Sequence, residues 1–66
     1  MYLLINDKEV NIDMGITVLE LLKELNKKPE FLAVAVNKKF VPKLKYPEYI
    51  LCEGDRVEIV TPHPGG

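Results

Sequence analysis

Thr17-Val18-Leu19-Glu20-Leu21-Leu22-Lys23-Glu24-Leu25-Asn26 carries the clearest helical signal in the chain. The Thr17 hydroxyl can accept from free amides of a first turn, and Glu20 three residues on completes a capping box. Val18, Leu21, Leu22 and Leu25 recur at helical spacing and form one apolar stripe. Lys23, Glu24, Lys27 and Lys28 suit the wet side. Asn26 is the expected C-cap, and Pro29 blocks continuation. A helix this short is marginal in isolation, so its stripe must pack against something else.

The flanking segments supply that partner. Tyr2 to Ile5 is apolar throughout, Asn6-Asp7-Lys8 is polar, and Glu9 to Ile12 alternates. This pattern predicts a β-hairpin. Asp13-Met14-Gly15 breaks it before the helix. After the helix, Phe31 to Val36 reads as a buried strand, Asn37-Lys38 as a turn and Lys39-Phe40-Val41 as a strand. Pro42 ends that strand because it has no amide to donate. Lys43 to Tyr49 has no clear period, and Tyr46-Pro47-Glu48-Tyr49 reads as a loop or one helical turn. Ile50-Leu51 is apolar, Glu53-Gly54-Asp55 is a turn, and Arg56 to Thr61 is a last strand with Val57 and Ile59 on one face. A hairpin, a helix and further strands, in that order, predict an α+β roll of four to five short strands wrapped over one helix.

With 66 residues the chain is one domain or part of one. A domain of that size buries only about 60% of the surface its unfolded chain exposes. A deep active site would consume core it cannot spare, which favours a carrier, adaptor or subunit over a stand-alone enzyme. Nine basic residues nearly balance ten acidic ones, so there is no basic surplus for nucleic acid. Lys27-Lys28, Lys38-Lys39, Lys43 and Lys45 form a weak cluster, read as solvated turn lysines, with docking on an acidic partner as the alternative. The single cysteine, Cys52, cannot close an internal disulfide. The N-terminal apolar run is too short for a signal-peptide core, and no stretch is long enough to span a membrane. A cytoplasmic protein is expected.

The one shift in composition is Pro62-His63-Pro64-Gly65-Gly66. Two consecutive glycines lose the most chain entropy on ordering and add nothing to a fold. They do make a slim end that can thread a narrow channel and deliver a carboxylate to a partner's active site. A carboxylate is a poor electrophile and must be activated, usually by adenylation, before it accepts sulfur or an amine. A truncated loop is the plainer reading of the two glycines alone. Residues 1–61 are expected to form the folded domain, with 62–66 as a flexible tail.

The segments YLLINDKEV (2–10), TVLELLKEL (17–25), VAVNKKFVP (34–42), EGDRVEIV (53–60) and the final Gly65-Gly66 together resemble the sulfur carriers of thiamine biosynthesis, the ThiS type. That family lies within the ubiquitin-like β-grasp superfamily, and the resemblance covers essentially the whole chain. It implies a β-grasp roll with a mixed sheet. It also implies that Gly66 is adenylated with ATP by an E1-like adenylyltransferase and becomes a thiocarboxylate. The sulfur would come ultimately from cysteine through a desulfurase, and thiazole synthase would consume it. Gly66 would carry the sulfur, with Gly65 as its slim neighbour, and ATP would be bound by the partner only. Pro62 and Pro64 depart from expectation, since each locks one backbone angle in the approach to the glycines.

Three alternatives share the terminal chemistry: the small subunit of a molybdopterin synthase, a sulfur carrier of another pathway, and a ubiquitin-like modifier joined to lysines. They differ in what attacks the adenylate. Elsewhere, Cys52 beside Ile50-Leu51 reads as a small core or near-core residue, with sulfur acceptance or a partner link as the sharper alternative. His63, the only histidine, cannot anchor a metal cluster or catalytic pair within one chain, and contact with a partner near the tail is its alternative to plain solvation. If Leu3 and Ile5 face the helix, Tyr2 and Leu4 point the other way. Phe40 and Val60 can join them in a partner-contact surface on the sheet face that no helix covers.

Overall fold

The computed structural model describes residues 1–61. The expected tail, 62–66, with Pro62, His63, Pro64, Gly65 and Gly66, lies outside the described residues. Five strands, β1 (Tyr2–Ile5), β2 (Lys8–Asn11), β3 (Ala33–Val36), β4 (Lys39–Val41) and β5 (Arg56–Val60), form one sheet in the order β2-β1-β5-β3-β4. A single α-helix, α1 (Val18–Glu24), crosses one face. The sheet is mixed: β1 pairs β2, and β3 pairs both β4 and β5, antiparallel, whereas β1 and β5 run parallel.

Both hairpins turn on two residues at positive φ: Asn6 (50°) and Asp7 (67°), then Asn37 (52°) and Lys38 (69°). These left-handed pairs match the twist of the strands they join, as type I′ turns do. Asn tolerates that region, whereas Lys38 adopts it at a steric cost.

The Thr17 capping box forms as its spacing predicts. Glu20 N–H donates to Thr17 Oγ1 at 3.2 Å, and Thr17 N–H donates to Glu20 Oε1 at 2.9 Å. The helix ends one residue earlier than expected. Leu25 is the C-cap and Asn26 follows in the left-handed region at φ 57°. Asn26 N–H then donates to Lys23 O (3.1 Å) and Lys27 N–H to Leu22 O (2.9 Å), the paired bonds of a Schellman motif.

Val18, Leu21 and Leu22 of the stripe are buried, and Leu25 packs at its margin. They meet the inward residues of the sheet: Leu3, Ile5, Val34, Val36, Val41, Val57 and Ile59.

Two sequence expectations are corrected, those for Phe31 and Cys52. Phe31 is not in a buried strand: Pro29–Phe31 form a 3-10 turn, Phe31 is exposed, and β3 begins only at Ala33. That strand is buried on one face, with Val34 and Val36 inward and Ala33 and Ala35 outward. Tyr46, in the segment read as a loop or one helical turn, caps a 3-10 turn (Lys43–Lys45) and is also a core residue at 1% exposure. Cys52 is exposed rather than in or near the core. Residues 50–52 alternate out, in, out, so Leu51 takes the inward position and turns Cys52 to solvent.

Candidate functional site

The last strand is central in the sheet, and it is the element that leads directly to Gly65-Gly66. Its end is therefore held by neighbours on both sides. On one side β3 pairs it through Val34 with Ile59 and Ala33 with Val60. On the other side the backbone register with β1 stops at Ile5 and Val57. Asn6 takes over from there. Its amide donates to Val57 O at 2.9 Å. Its side-chain Oδ1 accepts from Ile59 N–H at 2.8 Å, and its Nδ2 donates to Ile59 O at 3.3 Å.

A matching device holds the start of β5. Asn37 Oδ1 accepts from Arg56 N–H (3.0 Å), Asn37 Nδ2 donates to Asp55 Oδ1 (3.0 Å), and Asn37 N–H donates to Arg56 O (2.7 Å). Sequence reasoning found both asparagines as turn residues and missed both as braces. The turn signal is local, whereas the bonds join residues 18 to 53 positions apart.

Leu3 and Ile5 face the helix, so Tyr2 and Leu4 lie on the open face. Phe40 and Val60 share that face, at 68% and 61% exposure. Phe40 stands opposite Ala35 on β3, and Val60 stands opposite Ala33. The two large side chains thus flank a pair of alanines, and Val60 immediately precedes Thr61 and the terminal segment. Leu4 is half-buried beside Arg56, toward the other end of β5. Tyr2 lies over the turn at Gly54, whose left-handed φ of 80° favours a glycine. The structure therefore puts Phe40 and Val60 on one face but two strands apart, with Val60 at the end of β5 and Phe40 level with Glu58, and sets Tyr2 and Leu4 beside the start of β5. His63 lies outside the described residues.

The lysines occupy three separate places and are all exposed. Lys43 Nζ donates to Glu30 O at 3.2 Å, and Lys45 pairs with Glu48 at 3.5 Å in an exposed geometry that adds little stability. Among the described residues, no group of three His, Cys, Asp or Glu side chains is placed to hold a metal ion. Among the same residues, no helix is long and apolar enough to cross a membrane.

A mixed five-stranded sheet over one helix, with a central last strand feeding the chain end, is the architecture of a ubiquitin-like β-grasp carrier. The family model named ThiS matches residues 2–66. The sulfur carrier protein ThiS of Escherichia coli (strain K12) is 32% identical over 66 residues, the full length of both chains. The thiazole synthase of Paramagnetospirillum magneticum is 39% identical over 66 residues, all of this chain and 20% of that protein. The crystal structure of the thiamine biosynthesis protein ThiS from Geobacter metallireducens superposes with a TM-score of 0.86 at 28% identity, covering all of both chains. The chain belongs to the ThiS family, the sulfur carriers of thiamine biosynthesis.

Proposed function

We propose that the Gly66 carboxylate is the group that bears the sulfur, and that the chain is a co-substrate of partner enzymes rather than a catalyst. The observation that carries this reading is the placement of the central strand β5 directly before Gly65-Gly66, in a chain that aligns end to end with a sulfur carrier. An E1-like adenylyltransferase binds ATP and the chain end. A Gly66 oxygen attacks the α-phosphorus and pyrophosphate leaves. The terminal sulfur of the desulfurase persulfide, taken from cysteine, then displaces AMP from the acyl carbon to give an acyl disulfide, and a thiol reductant cleaves its S–S bond to leave the thiocarboxylate. The receiver is thiazole synthase, a reading supported by the relative of that name, which contains a segment like this chain. The partner's use of ATP supports a cytoplasmic location.

Val60, exposed at the root of the tail, and Phe40 on the same open face are the surface that seats the body on these partners, with Tyr2 and Leu4 as a separate, smaller contact. The test is ATP–pyrophosphate exchange by the adenylyltransferase. It requires the intact chain and is lost when Gly66 is removed. Exchange that continues without Gly66 overturns the assignment.

A further inference from the structure

In a parallel ladder a residue donates its N–H to one partner residue and accepts, through its own carbonyl, from the residue two further on. Asn6 makes the first bond, to Val57 O. Its φ of 50° turns the chain away into the hairpin, so the backbone pairing of β1 with β5 goes no further. Oδ1 stands in for that carbonyl and takes the Ile59 amide at 2.8 Å, while Nδ2 reaches Ile59 O at 3.3 Å. Ile59 is thereby gripped on both of its backbone groups by one side chain. Among the described residues, this is the last hydrogen bonding that β5 receives from its β1 side before the terminal segment.

We infer that Asn6 is a positioning residue for sulfur loading: it fixes the direction in which the tail leaves the sheet. The inference rests on the reading that Gly66 reacts inside a partner's active site. Five residues follow Thr61, and a chain of that length reaches at most about 17 Å. The direction set at Thr61 therefore decides which volume the Gly66 carboxylate can reach. A misplacement of roughly 1 Å can cost a hundredfold in rate. Pro62 and Pro64 sharpen the dependence, because each fixes one backbone angle and leaves fewer rotations to correct an error made at the root.

Asn37 supplies the matched control. It is the same residue type, at the same position of the other two-residue turn, with two side-chain bonds to the beginning of β5. Asn6→Gly and Asn37→Gly each keep the left-handed backbone and delete only the side-chain bonds. The experiment measures thiocarboxylate formation on the full chain with the adenylyltransferase, ATP and a sulfur source. It is run at a temperature where circular dichroism shows all three chains folded.

The expected result is a roughly tenfold lower kcat for Asn6→Gly, with KM for the carrier within about twofold of the unsubstituted chain, since body docking is untouched. Asn37→Gly keeps the kcat of the unsubstituted chain. Equal kcat for Asn6→Gly and Asn37→Gly, or a loss confined to KM, overturns the inference and leaves the carrier reading standing. An unsubstituted chain that gains no sulfur overturns the carrier reading, and the inference with it.

Discussion

Leu19 N–H donates to Tyr46 O at 3.0 Å, joining the first turn of α1 to the segment that buries the Tyr46 ring. Val18 N–H does the same with Tyr49 O at 2.9 Å. Two amides that a helix start leaves without internal partners are thus satisfied by the segment after β4. Tyr46 is the largest fully buried side chain, and truncating it opens a cavity beneath the helix start. Tyr46→Ala is expected to cost about 3–5 kcal/mol, as for other large aromatic truncations. Denaturant unfolding checks this, and a cost near zero would place the ring outside the core.

Tyr46→Phe is expected to act in the opposite direction. The Tyr46 Oη is buried, and no group meets it in hydrogen-bond geometry. Burial pushes the phenol above its ordinary value of 10.0, with the Val34 backbone as a smaller, opposing influence. Removing an unpaired buried hydroxyl should raise stability by on the order of 1 kcal/mol at neutral pH. Above pH 10.0 the unfolded chain gives up this proton while the folded chain still holds it, so stability falls as pH rises past 10.0. The phenylalanine variant lacks that contribution, and its advantage should widen there. Parallel unfolding curves for the two chains through this range would contradict the assignment.

Helix α1 was legible because its signals are local. The capping box spans four residues and the stripe repeats within about two turns, and both are found in place. Tyr46 was hidden because its burial depends on carbonyls offered to a helix start 27 or more residues away, and the sequence around it has no period. Phe31 misled because an apolar residue beside a Val- and Ala-rich run reads as strand, yet Pro29 opens a 3-10 turn that leaves it outside the sheet. Cys52 misled for a related reason: its apolar neighbours share an alternation that puts only Leu51 inside. The mixed sheet followed from the family resemblance, but no local signal specified the parallel pairing of β1 with β5 or the braces at Asn6 and Asn37. Those depend on partners about 20 to 50 residues apart.

Lys38 provides a stabilising substitution. It sits at φ 69° in the β3–β4 turn, where a side chain is strained and glycine is not. Its side chain is exposed. Lys38→Gly is expected to raise stability by about 0.5–1 kcal/mol, the relief of strain exceeding the added entropy of the unfolded chain. Thermal unfolding would show a higher midpoint, and a lower one would mean that the lysine side chain holds the turn.

Thr17→Ala should do the reverse. It removes the acceptor for Glu20 N–H, while the backbone N–H of residue 17 keeps its bond to Glu20 Oε1. The expected cost is about 1 kcal/mol. Chemical denaturation measures it directly, and an unchanged midpoint would mean that solvent replaces the cap.

Phe40→Asp and Val60→Asp separate docking from folding. Both side chains stand on the open sheet face, so stability should change by no more than about 0.5 kcal/mol each. KM for the carrier in the adenylyltransferase reaction should rise, because an apolar contact on the open sheet face becomes charged. Unchanged KM in both variants would remove this face from the partner interface.

The most direct measurement of the central claim is the intact mass of the chain after incubation with ATP, the adenylyltransferase and a sulfur source. The predicted result is a gain equal to exchanging one oxygen for sulfur, mapped to Gly66 and absent when Gly66 is deleted. A terminus left unmodified under conditions where the partner is active, or a terminus joined by amide bonds to lysines, would contradict the account.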